Sequence, residues 1–501
     1  MTGRPLPLIT DDNEFFWTSA ADGKLRLQEC TDCSALIHPP APVCPRYCRA
    51  TLAGFTINER FSLPGLSAPY VVAQVAIAED PRVRLTTNII EYDSAQLDLG
   101  QQVEVVFERH SDVWLPLFRL VDGAEPAALP IDEIEPERFG DFVRPMRTAE
   151  KFEDKVALTG IGISEIGRRL MVPPLALTVA ACEAAIADAG LTIDDIDVLS
   201  THPGGSVIAA MLAIACGLAR HVLCFRTLWE ATFNEQMEQG KIVPSGGCRA
   251  DWLLPFGATS AAHTLAQNPQ RHFHRYGTTK ETLGWIALNQ RANAELNPTA
   301  VYRTPMTMDD YLDARPITSP FGLYDCDVPC DGAVAVIVSA VDAARDLTKP
   351  PVLVEAVGTQ IIERIEWDQS TLTHEPQVLG QAAHLWSRTS LTPQDVDVAE
   401  LYDGFTMNCL SWIEAPGFCG IGEARHFLDG GKNIARDGQL PLNTHGGQLS
   451  HGRTHGMGLL HEAITQLRGE ASDRQVADAR VGVVRSGGLT PSGVLLLRAD
   501  R

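Results

Sequence analysis

The segment NTHGGQLSHGRTHG at residues 443–456 places His445, His451 and His455 within eleven residues, interleaved with glycines. Imidazoles bind metal ions or transfer protons near neutral pH. Spacings of six and four residues across glycine turns do not bring three imidazoles to one face, and the segment holds no carboxylate to complete a ligand set. A metal site is therefore not favoured, which leaves a catalytic loop or a polar turn.

A second chemical pattern lies near the N-terminus. Cys30 and Cys33 form a C-x2-C pair, and Cys44 and Cys48 form a C-x3-C pair. Thiolates at this spacing surround one tetrahedral zinc ion, and four thiolates close its coordination shell, so the zinc is predicted to be structural. The extra residue in the second pair leaves open a ribbon that has lost its metal, with His38 as an alternative ligand.

The composition narrows the classes of function. The 501-residue chain has a formal net charge of −22, so it lacks the basic character that binding to a nucleic-acid backbone requires. No run of about 18 apolar residues is present, so no membrane span is expected. The N-terminus lacks a signal-peptide pattern, and most of the twelve cysteines are scattered, which together predict a cytoplasmic protein.

The patterning of the chain divides it into segments that position these residues. Residues 12–50 are predicted to form a zinc ribbon with a leading helix. Residues 51–122 alternate as short strands such as YVVAQVAIA and QQVEVVFER, which is typical of an OB-fold barrel. Residues 123–152 are acidic and proline-rich and are predicted to be a solvated linker.

Residues 153–501 alternate apolar strands with helices. KVALTGIGIS and HVLCFRTL read as strands, and LALTVAACEAAIADAGL reads as a helix that Gly190 ends. A second round begins at PVLVEAVG. The sequence therefore predicts a layered α/β domain with a mixed central sheet and two similar halves, at about 153–345 and 346–501.

Several pieces of this domain occur in the order found in the thiolase superfamily, and resemble its sterol-carrier-protein-type members. SVIAAMLAIACGLARHVLCF resembles their buried helix and following strand, and ELYDGFTMNCLSWIEAPGFCGIGEARHFLDGG resembles their acidic-aromatic segment. NTHGGQLSHGRTHGMG resembles their glycine-rich catalytic loop. Residues 12–122 resemble zinc-ribbon plus OB-fold proteins that associate with thiolase-like acyl-CoA enzymes. The resemblance implies a thiolase-like fold that acts on an acyl-CoA.

The chain lacks both cysteines of thiolase chemistry. HPGGS stands where the nucleophilic cysteine would begin the buried helix, and no cysteine follows Cys419, so the second, acid/base cysteine is missing as well. The corresponding turn carries Arg485 and Ser486. Tyr402, followed by Asp403, takes the position where thiolases keep an Asn or His beside the substrate. A tyrosine there suits proton exchange with an alcohol if its pKa is lowered from about 10.

This pattern is similar to that of the steroid side-chain aldolases, thiolase-fold enzymes without the cysteines. The resemblance implies retro-aldol cleavage of a bulky β-hydroxyacyl-CoA into a ketone and a short acyl-CoA. The reaction needs a base for the hydroxyl and donors for the enolate oxygen, but no nucleophile and no redox cofactor.

The candidate residues follow from this resemblance. His445 is expected to face the substrate together with Tyr402. Arg453 occupies the histidine position of the thiolase loop, where a guanidinium cannot act as a base but can hold an oxyanion. The aldolases carry a second tyrosine in this loop, and here His451 or His455 is expected to supply the titrating group. The catalytic candidates are Tyr402, Asp403, His445, Arg453 and His455, and the candidate acyl-CoA contacts are Gly446, Gly447, His451 and Ser486.

Two other functions are consistent with the sequence. One is a thiolase-like acyltransferase that uses a different cysteine, although Cys216 and Cys224 are both expected in the core. The other is a non-catalytic acyl-CoA-binding scaffold. A homodimer through the central sheet and an enoyl-CoA hydratase partner are expected from the resemblance. RHFHRYG at 271–277 is either a contact for CoA phosphates or a surface loop.

Overall fold

The computed structural model describes the chain except for residues 1–5, 8, 11–12, 30–33, 35, 39–52, 61–62, 64, 78–82, 128, 130–135, 147–149, 202–205, 240, 242–249, 363–370, 375–377, 487–492 and 501. Within the described residues the strands form a two-stranded, a seven-stranded and an eight-stranded sheet. None of the helices in these residues has the length and apolar character needed to cross a membrane.

The strands are numbered β1–β17 and the helices α1–α14, each in chain order. The strands are β1 (Gln28–Glu29), β2 (Leu36–Ile37), β3 (Gly54–Asn58), β4 (Tyr70–Ala76), β5 (Arg84–Ile89), β6 (Val103–His110), β7 (Val113–Leu120), β8 (Val156–Ile163), β9 (Val198–Thr201), β10 (His221–Trp229), β11 (Pro316–Thr318), β12 (Phe321–Gly322), β13 (Asp331–Ala340), β14 (Val352–Gly358), β15 (Val398–Glu400), β16 (Val481–Ser486) and β17 (Gly493–Ala499). The helices are α1 (Glu14–Thr18), α2 (Pro174–Ala189), α3 (Ser206–Ala215), α4 (Glu230–Glu238), α5 (Ala250–Leu253), α6 (Ala261–Leu265), α7 (Gln267–Tyr276), α8 (Lys280–Glu295), α9 (Met308–Leu312), α10 (Val341–Ala344), α11 (Val378–Trp386), α12 (Thr406–Glu414), α13 (Ala424–Phe427) and α14 (Met457–Arg468).

The N-terminal strands form the predicted OB-fold. β3, β4 and β5 pair antiparallel in sequence order, β5 pairs parallel to β7, and β6 pairs antiparallel to β7. Alternate residues such as Val71, Leu85 and Leu115 point inward and are almost fully buried. This period of two directs one face of each strand into the core of the small barrel.

The barrel packs against the α/β part of its own chain. β11, which follows α9, pairs antiparallel with β3, and the Thr56 and Thr318 hydroxyl oxygens lie 2.6 Å apart across this contact. The Tyr70 hydroxyl donates to the carbonyl of Gly257 at 3.0 Å. Because β11 pairs with β3, a strand from the α/β part extends the sheet of the barrel, and the two parts are not joined by a linker alone.

The eight-stranded sheet shows the two similar halves. Its order is β15-β16-β17-β14-β8-β13-β10-β9. Each half contributes four strands, and the pairing pattern is the same in both halves: β8, β13, β10, β9 in the first and β14, β17, β16, β15 in the second. In each half the last two strands pair parallel, and the other neighbouring strands pair antiparallel. The halves join where β8 pairs with β14. The sheet is mixed, so this part of the fold prediction is confirmed.

Helices cover both faces of this sheet. On β13, Val334, Val336 and Val338 join the core that contains α3 and α14, whereas Ala333, Ala335 and Ile337 join the core beneath α2. β17 alternates in the same way between α14 and α11. Successive strand side chains point to opposite faces, so this alternation defines the layers. It places α3 and α14 on a common face.

The segment predicted as a linker contacts the α/β part near its end. A 3-10 helix covers Pro136–Phe142, and the backbone N–H of Arg144 donates to the side-chain oxygen of Gln360 at 2.9 Å. The Gln360 side chain also donates to the carbonyl of Phe142. These hydrogen bonds attach this stretch to the start of the second half. The domain boundaries given above remain predictions.

We expect Arg388→Ala to lower the free energy of unfolding by about 3–5 kcal/mol, because it leaves the fully buried Glu153 carboxylate unpaired. Arg388 donates to both Glu153 oxygens, at 2.6 and 2.7 Å. Arg119 pairs with Glu104 at 2.7 Å but is 47% exposed, so Arg119→Ala should lower the free energy of unfolding far less than Arg388→Ala. Urea unfolding of both variants checks this, and equal losses would contradict it.

Candidate active site

Tyr402 lies just beyond the carboxyl end of β15, between that strand and α12. β15 and β16 are parallel, so their carboxyl ends meet at one edge of the sheet and bring Tyr402 close to Arg485. The Arg485 guanidinium carbon lies 5.7 Å from the Tyr402 ring centroid and 5.0 Å from that of Trp412. A Cβ on Gly404 would lie 2.9 Å from the Tyr402 hydroxyl, so the ring lies directly over this glycine.

Two further guanidinium groups, one on β10 and one on the glycine-rich loop, carry charges that act on Tyr402. Arg226 and Arg453 both interact electrostatically with the tyrosine oxygen. His455 lies between them, with Nδ1 3.0 Å from Arg226 Nη2 and Nε2 2.8 Å from Arg453 Nε. A neutral imidazole carries one ring proton, so its two nitrogens cannot both accept at once. His455 therefore accepts from one arginine at a time.

Two carboxylates hold Arg453 in place. Arg453 Nη1 lies 2.7 and 2.9 Å from the oxygens of Glu230, and Nε lies 3.2 Å from Asp327 Oδ2. Burial alone would lower the pKa of Arg453, but Asp327, Glu230 and Tyr402 outweigh it and raise that pKa. Asp327 is in turn fixed by its backbone N–H, which donates to the carbonyl of Gly404 at 3.1 Å.

Asp327 is a largely buried carboxyl group, with its side chain 12% exposed, and its pKa is shifted. Burial, together with Glu230 and Asp403, raises the pKa of Asp327 to about 7, although Arg453 acts in the opposite direction. Arg226, Glu230 and Asp327 were not among the residues predicted for the site. Arg226 could have been noticed because it is a charged residue inside the apolar strand HVLCFRTL. Asp327 stands in a stretch whose sequence pattern does not single it out.

The shift at Asp327 predicts a pH-dependent stability. Because its folded pKa of about 7 exceeds the unfolded value, Asp327 stabilises the fold at low pH, and this contribution is lost as the pH rises through that window. The parent should therefore lose stability as the pH rises from about 5 to 7, whereas Asp327→Asn should not. The free energy of unfolding of Asp327→Asn minus that of the parent should rise over this range by at most about 1.4 kcal/mol per pH unit. Urea unfolding at both pH values measures the difference, and a pH-independent difference would exclude the shift.

His445 belongs to a buried polar network. Its Nδ1 lies 3.3 Å from Glu400 Oε2, at ion-pair distance but not aligned for a hydrogen bond, and its ring centroid lies 5.0 Å from that of His451. Burial would lower the pKa of His445, but the Glu400 carboxylate outweighs it and raises that pKa. None of the described contacts of His445 is with Tyr402. That His445 faces the substrate stays a prediction.

The glycine pair lets the loop approach Asp403. The Gln448 backbone N–H donates to Asp403 Oδ1 at 2.8 Å, and a Cβ on Gly447 would lie 1.9 Å from Asp403 Oδ2. Gly446 has a φ of +107°, and a Cβ there would lie 2.6 Å from the Ala294 methyl carbon. Only glycine fits at these two positions. The sequence of this loop thus encodes close packing against α8 and Asp403.

The structure places the other predicted residues as follows. His451 is buried, with Nε2 3.3 Å from the Thr299 hydroxyl. Ser486 ends β16, and its side chain lies outside the described part of the structure. His38, the alternative zinc ligand, lies within the described residues, and burial lowers its pKa to about 3. The predicted acyl-CoA contacts stay predictions. The four zinc-ligand candidates lie outside the described residues: Cys30, Cys33, Cys44 and Cys48.

The cysteines near this region do not form a thiolase site. The prediction that Cys216 is a core residue is wrong, because it lies exposed in the turn after α3. Cys224 is fully buried, as predicted. Cys330 Sγ donates to the carbonyl of Arg453 at 3.3 Å, and burial and the neighbouring carboxylates raise its thiol pKa. Burial of Cys224 and Cys330 does not favour a reactive thiolate at either position.

Family models match three stretches of the chain. Residues 17–52 match "ChsH2, rubredoxin-like zinc ribbon domain", and residues 47–108 match "ChsH2, C-terminal OB-fold domain". Residues 365–497 match "Thiolase C-terminal domain-like". The zinc-ribbon and OB-fold predictions agree with the first two matches, and the thiolase-like prediction agrees with the third.

Similar proteins extend these matches over most of the chain. A steroid side-chain-cleaving aldolase of Thermomonospora curvata is 34% identical over 69% of this chain and 98% of its own length. The 17-hydroxy-3-oxo-4-pregnene-20-carboxyl-CoA lyase of Mycobacterium tuberculosis is 32% identical over 68% of this chain and 99% of its own length. The solved structure titled "Ltp2-ChsH2(DUF35) aldolase" has a TM-score of 0.64 and 33% identity, covering 70% of this chain and 98% of that one.

Proposed function

The chain belongs to the steroid side-chain-cleaving aldolases of the thiolase superfamily, and we propose that it cleaves the side chain of a steroid β-hydroxyacyl-CoA by a retro-aldol reaction. The observation that carries this proposal is the placement of Tyr402. Its oxygen lies where Arg226 and Arg453 both interact with it, at the sheet edge where a thiolase would present its catalytic groups. An alcohol, rather than a thiol, is the group that such a site would deprotonate.

The substrate class follows from the reaction. The lyase relative acts on a 17-hydroxy steroid whose CoA thioester is attached through carbon 20, so the hydroxyl is β to the thioester carbonyl. We propose a substrate of this kind for this chain. Breaking the bond between carbons 17 and 20 gives a 17-ketone and propanoyl-CoA.

The described residues suit each step of this reaction. The Tyr402 oxygen, whose negative charge Arg226 and Arg453 favour, takes the hydroxyl proton. The carbon–oxygen double bond forms as the carbon–carbon bond breaks, and the electron pair moves to the thioester as an enolate. Arg226 Nε is buried without a hydrogen-bond partner among the described residues, so it can donate to the enolate oxygen. The proton then returns to the α carbon, which leaves the reaction balanced without a redox cofactor.

The activity can be tested with a panel of β-hydroxyacyl-CoAs. Mass spectrometry should find ketone and short acyl-CoA in equal amounts without added free CoA, with 17-hydroxy steroid substrates cleaved fastest. Formation of products only with free CoA would favour the acyltransferase. Binding of acyl-CoA with no turnover of any member of the panel would favour the scaffold.

The N-terminal domain is proposed to hold one structural zinc ion. The matched zinc-ribbon model spans Cys30, Cys33, Cys44 and Cys48, and four thiolates are a donor set that fits a closed tetrahedral zinc site. When bound, the zinc would stabilise the ribbon.

An enoyl-CoA hydratase is the proposed partner, because hydration of an enoyl-CoA produces the β-hydroxyl group that this reaction consumes.

A homodimer is proposed through β9, the edge strand of the large sheet. Val198 and Leu199 on this strand are 39% and 64% exposed, and an exposed apolar edge is a surface that a second copy can cover. We expect Leu199→Lys to be monomeric in sedimentation analysis, since it places a charge in the shared edge. Leu312→Lys changes an exposed leucine on α9 and should stay dimeric. A parent protein that is monomeric would reject this interface.

A further inference from the structure

Three buried side chains outside the proposed active site converge on one point. His272 on α7, His374 and Glu414 at the end of α12 are each at most 1% exposed, and one ligand atom from each lies within 4.8 Å of the others. His272 Nε2 is 3.1 Å and His374 Nε2 is 3.5 Å from the same carboxylate oxygen, Glu414 Oε2. RHFHRYG, which contains His272, therefore forms the end of α7 with its cap residue, and is not a surface loop.

One atom of this group makes no hydrogen bond among the described residues. His374 Nε2 is buried without a hydrogen bond among the described residues, although it points at Glu414. A buried polar nitrogen left without a partner costs free energy. A cation bonded to this nitrogen would remove that cost.

Two of the distances between these ligand atoms are close to those of a metal site. Zinc bonds of about 2.0–2.1 Å in a tetrahedral arrangement place neighbouring ligand atoms roughly 3.3–3.4 Å apart. The two nitrogen–oxygen distances of 3.1 and 3.5 Å bracket this spacing. Two imidazoles and one carboxylate are also a donor set that zinc accepts.

The other ring nitrogen of each histidine and the second oxygen of Glu414 already have hydrogen-bond partners. His272 Nδ1 lies 2.8 Å from the Thr278 hydroxyl, and His374 Nδ1 lies 3.0 Å from that of Thr373. The second Glu414 oxygen accepts from the backbone N–H of Ala424 at 3.1 Å. Metal-bound histidines commonly bind a second group through their other nitrogen, which fixes the ring for coordination.

We propose that His272, His374 and Glu414 bind a divalent transition-metal ion, zinc in the first instance, separate from the ribbon zinc. The ion joins α7, the segment containing His374 and the end of α12. α12 runs about 12 Å from its start near Tyr402 to Glu414, so the ion lies away from the reacting atoms and its role is structural.

Metal content tests the proposal on the full-length protein. With the ribbon filled, the parent should hold about two zinc ions per chain, and His374→Ala and Glu414→Gln about one. His263→Ala, which removes another buried histidine outside the cluster, should keep the parent content. Equal zinc content in the parent and both cluster variants would overturn the proposal.

Zinc X-ray absorption of the unmutated protein keeps the test independent of whether a variant folds. A filled cluster gives histidine nitrogen and carboxylate oxygen neighbours in addition to sulfur. A spectrum with sulfur neighbours alone, or a protein that takes up no zinc when supplied with it, overturns the proposal. This result does not depend on the aldolase activity.

Discussion

Tyr402→Phe lowers kcat/KM for side-chain cleavage by roughly 10²–10⁴-fold while the protein stays folded. The change removes one oxygen and keeps the ring that packs over Gly404 and beside Arg485. Without that oxygen nothing at this position takes the proton of the substrate hydroxyl, although the steroid and CoA contacts remain. KM should therefore change less than kcat, as measured by steady-state formation of the ketone.

Tyr70→Phe is the matched control for this variant. Tyr70 is also a buried tyrosine, and its hydroxyl donates to Gly257 at the contact between the barrel and the α/β part. We expect Tyr70→Phe to keep nearly the parent kcat. Full activity in Tyr402→Phe would remove Tyr402 from the proposed mechanism.

Arg453→Gln lowers kcat/KM by roughly 10²–10³-fold, the range found on removal of one oxyanion-stabilising donor. The substitution takes away the positive charge that acts on the Tyr402 oxygen and leaves Glu230 and Asp327 without their shared partner. Arg453→Lys keeps a charge but cannot contact Glu230, Asp327 and His455 together, so its loss should be intermediate.

Arg468→Gln controls for the loss of an arginine from an ion pair. Arg468 is almost fully buried and pairs with Asp188 at 2.7 Å. This variant should lose stability but keep the kcat/KM of the folded enzyme. If Arg453→Gln keeps parent kcat/KM at a temperature where it is folded, Arg453 holds the loop and takes no part in catalysis.

Sequence patterning predicted most of the fold because its signals are local. Apolar runs identified strands such as β8 and β10, and Gly190, with a φ of +72°, ends α2 as expected. The pairing of β3 with β11 was not predictable, since these strands are about 260 residues apart and no local pattern records which edges meet.

The candidate site was predicted only in part for the same reason. Tyr402 and Arg453 were found because the flanking motifs resemble known ones. Arg226, Glu230 and Asp327 reach the site from β10, α4 and the segment before β13, and only the folded chain brings them to Arg453. His445 sits in the predicted loop, but its orientation toward Glu400 depends on packing that the loop sequence does not contain.

The most direct test of retro-aldol cleavage is the reaction of the parent enzyme with a 17-hydroxy steroid-20-carboxyl-CoA in deuterium oxide, without free CoA. Mass spectrometry should find the 17-ketone and an equal amount of propanoyl-CoA with one deuterium at its α carbon, because the enolate is protonated by exchangeable hydrogen. Failure to form the ketone, or its formation without deuterium in the acyl-CoA, would contradict the mechanism.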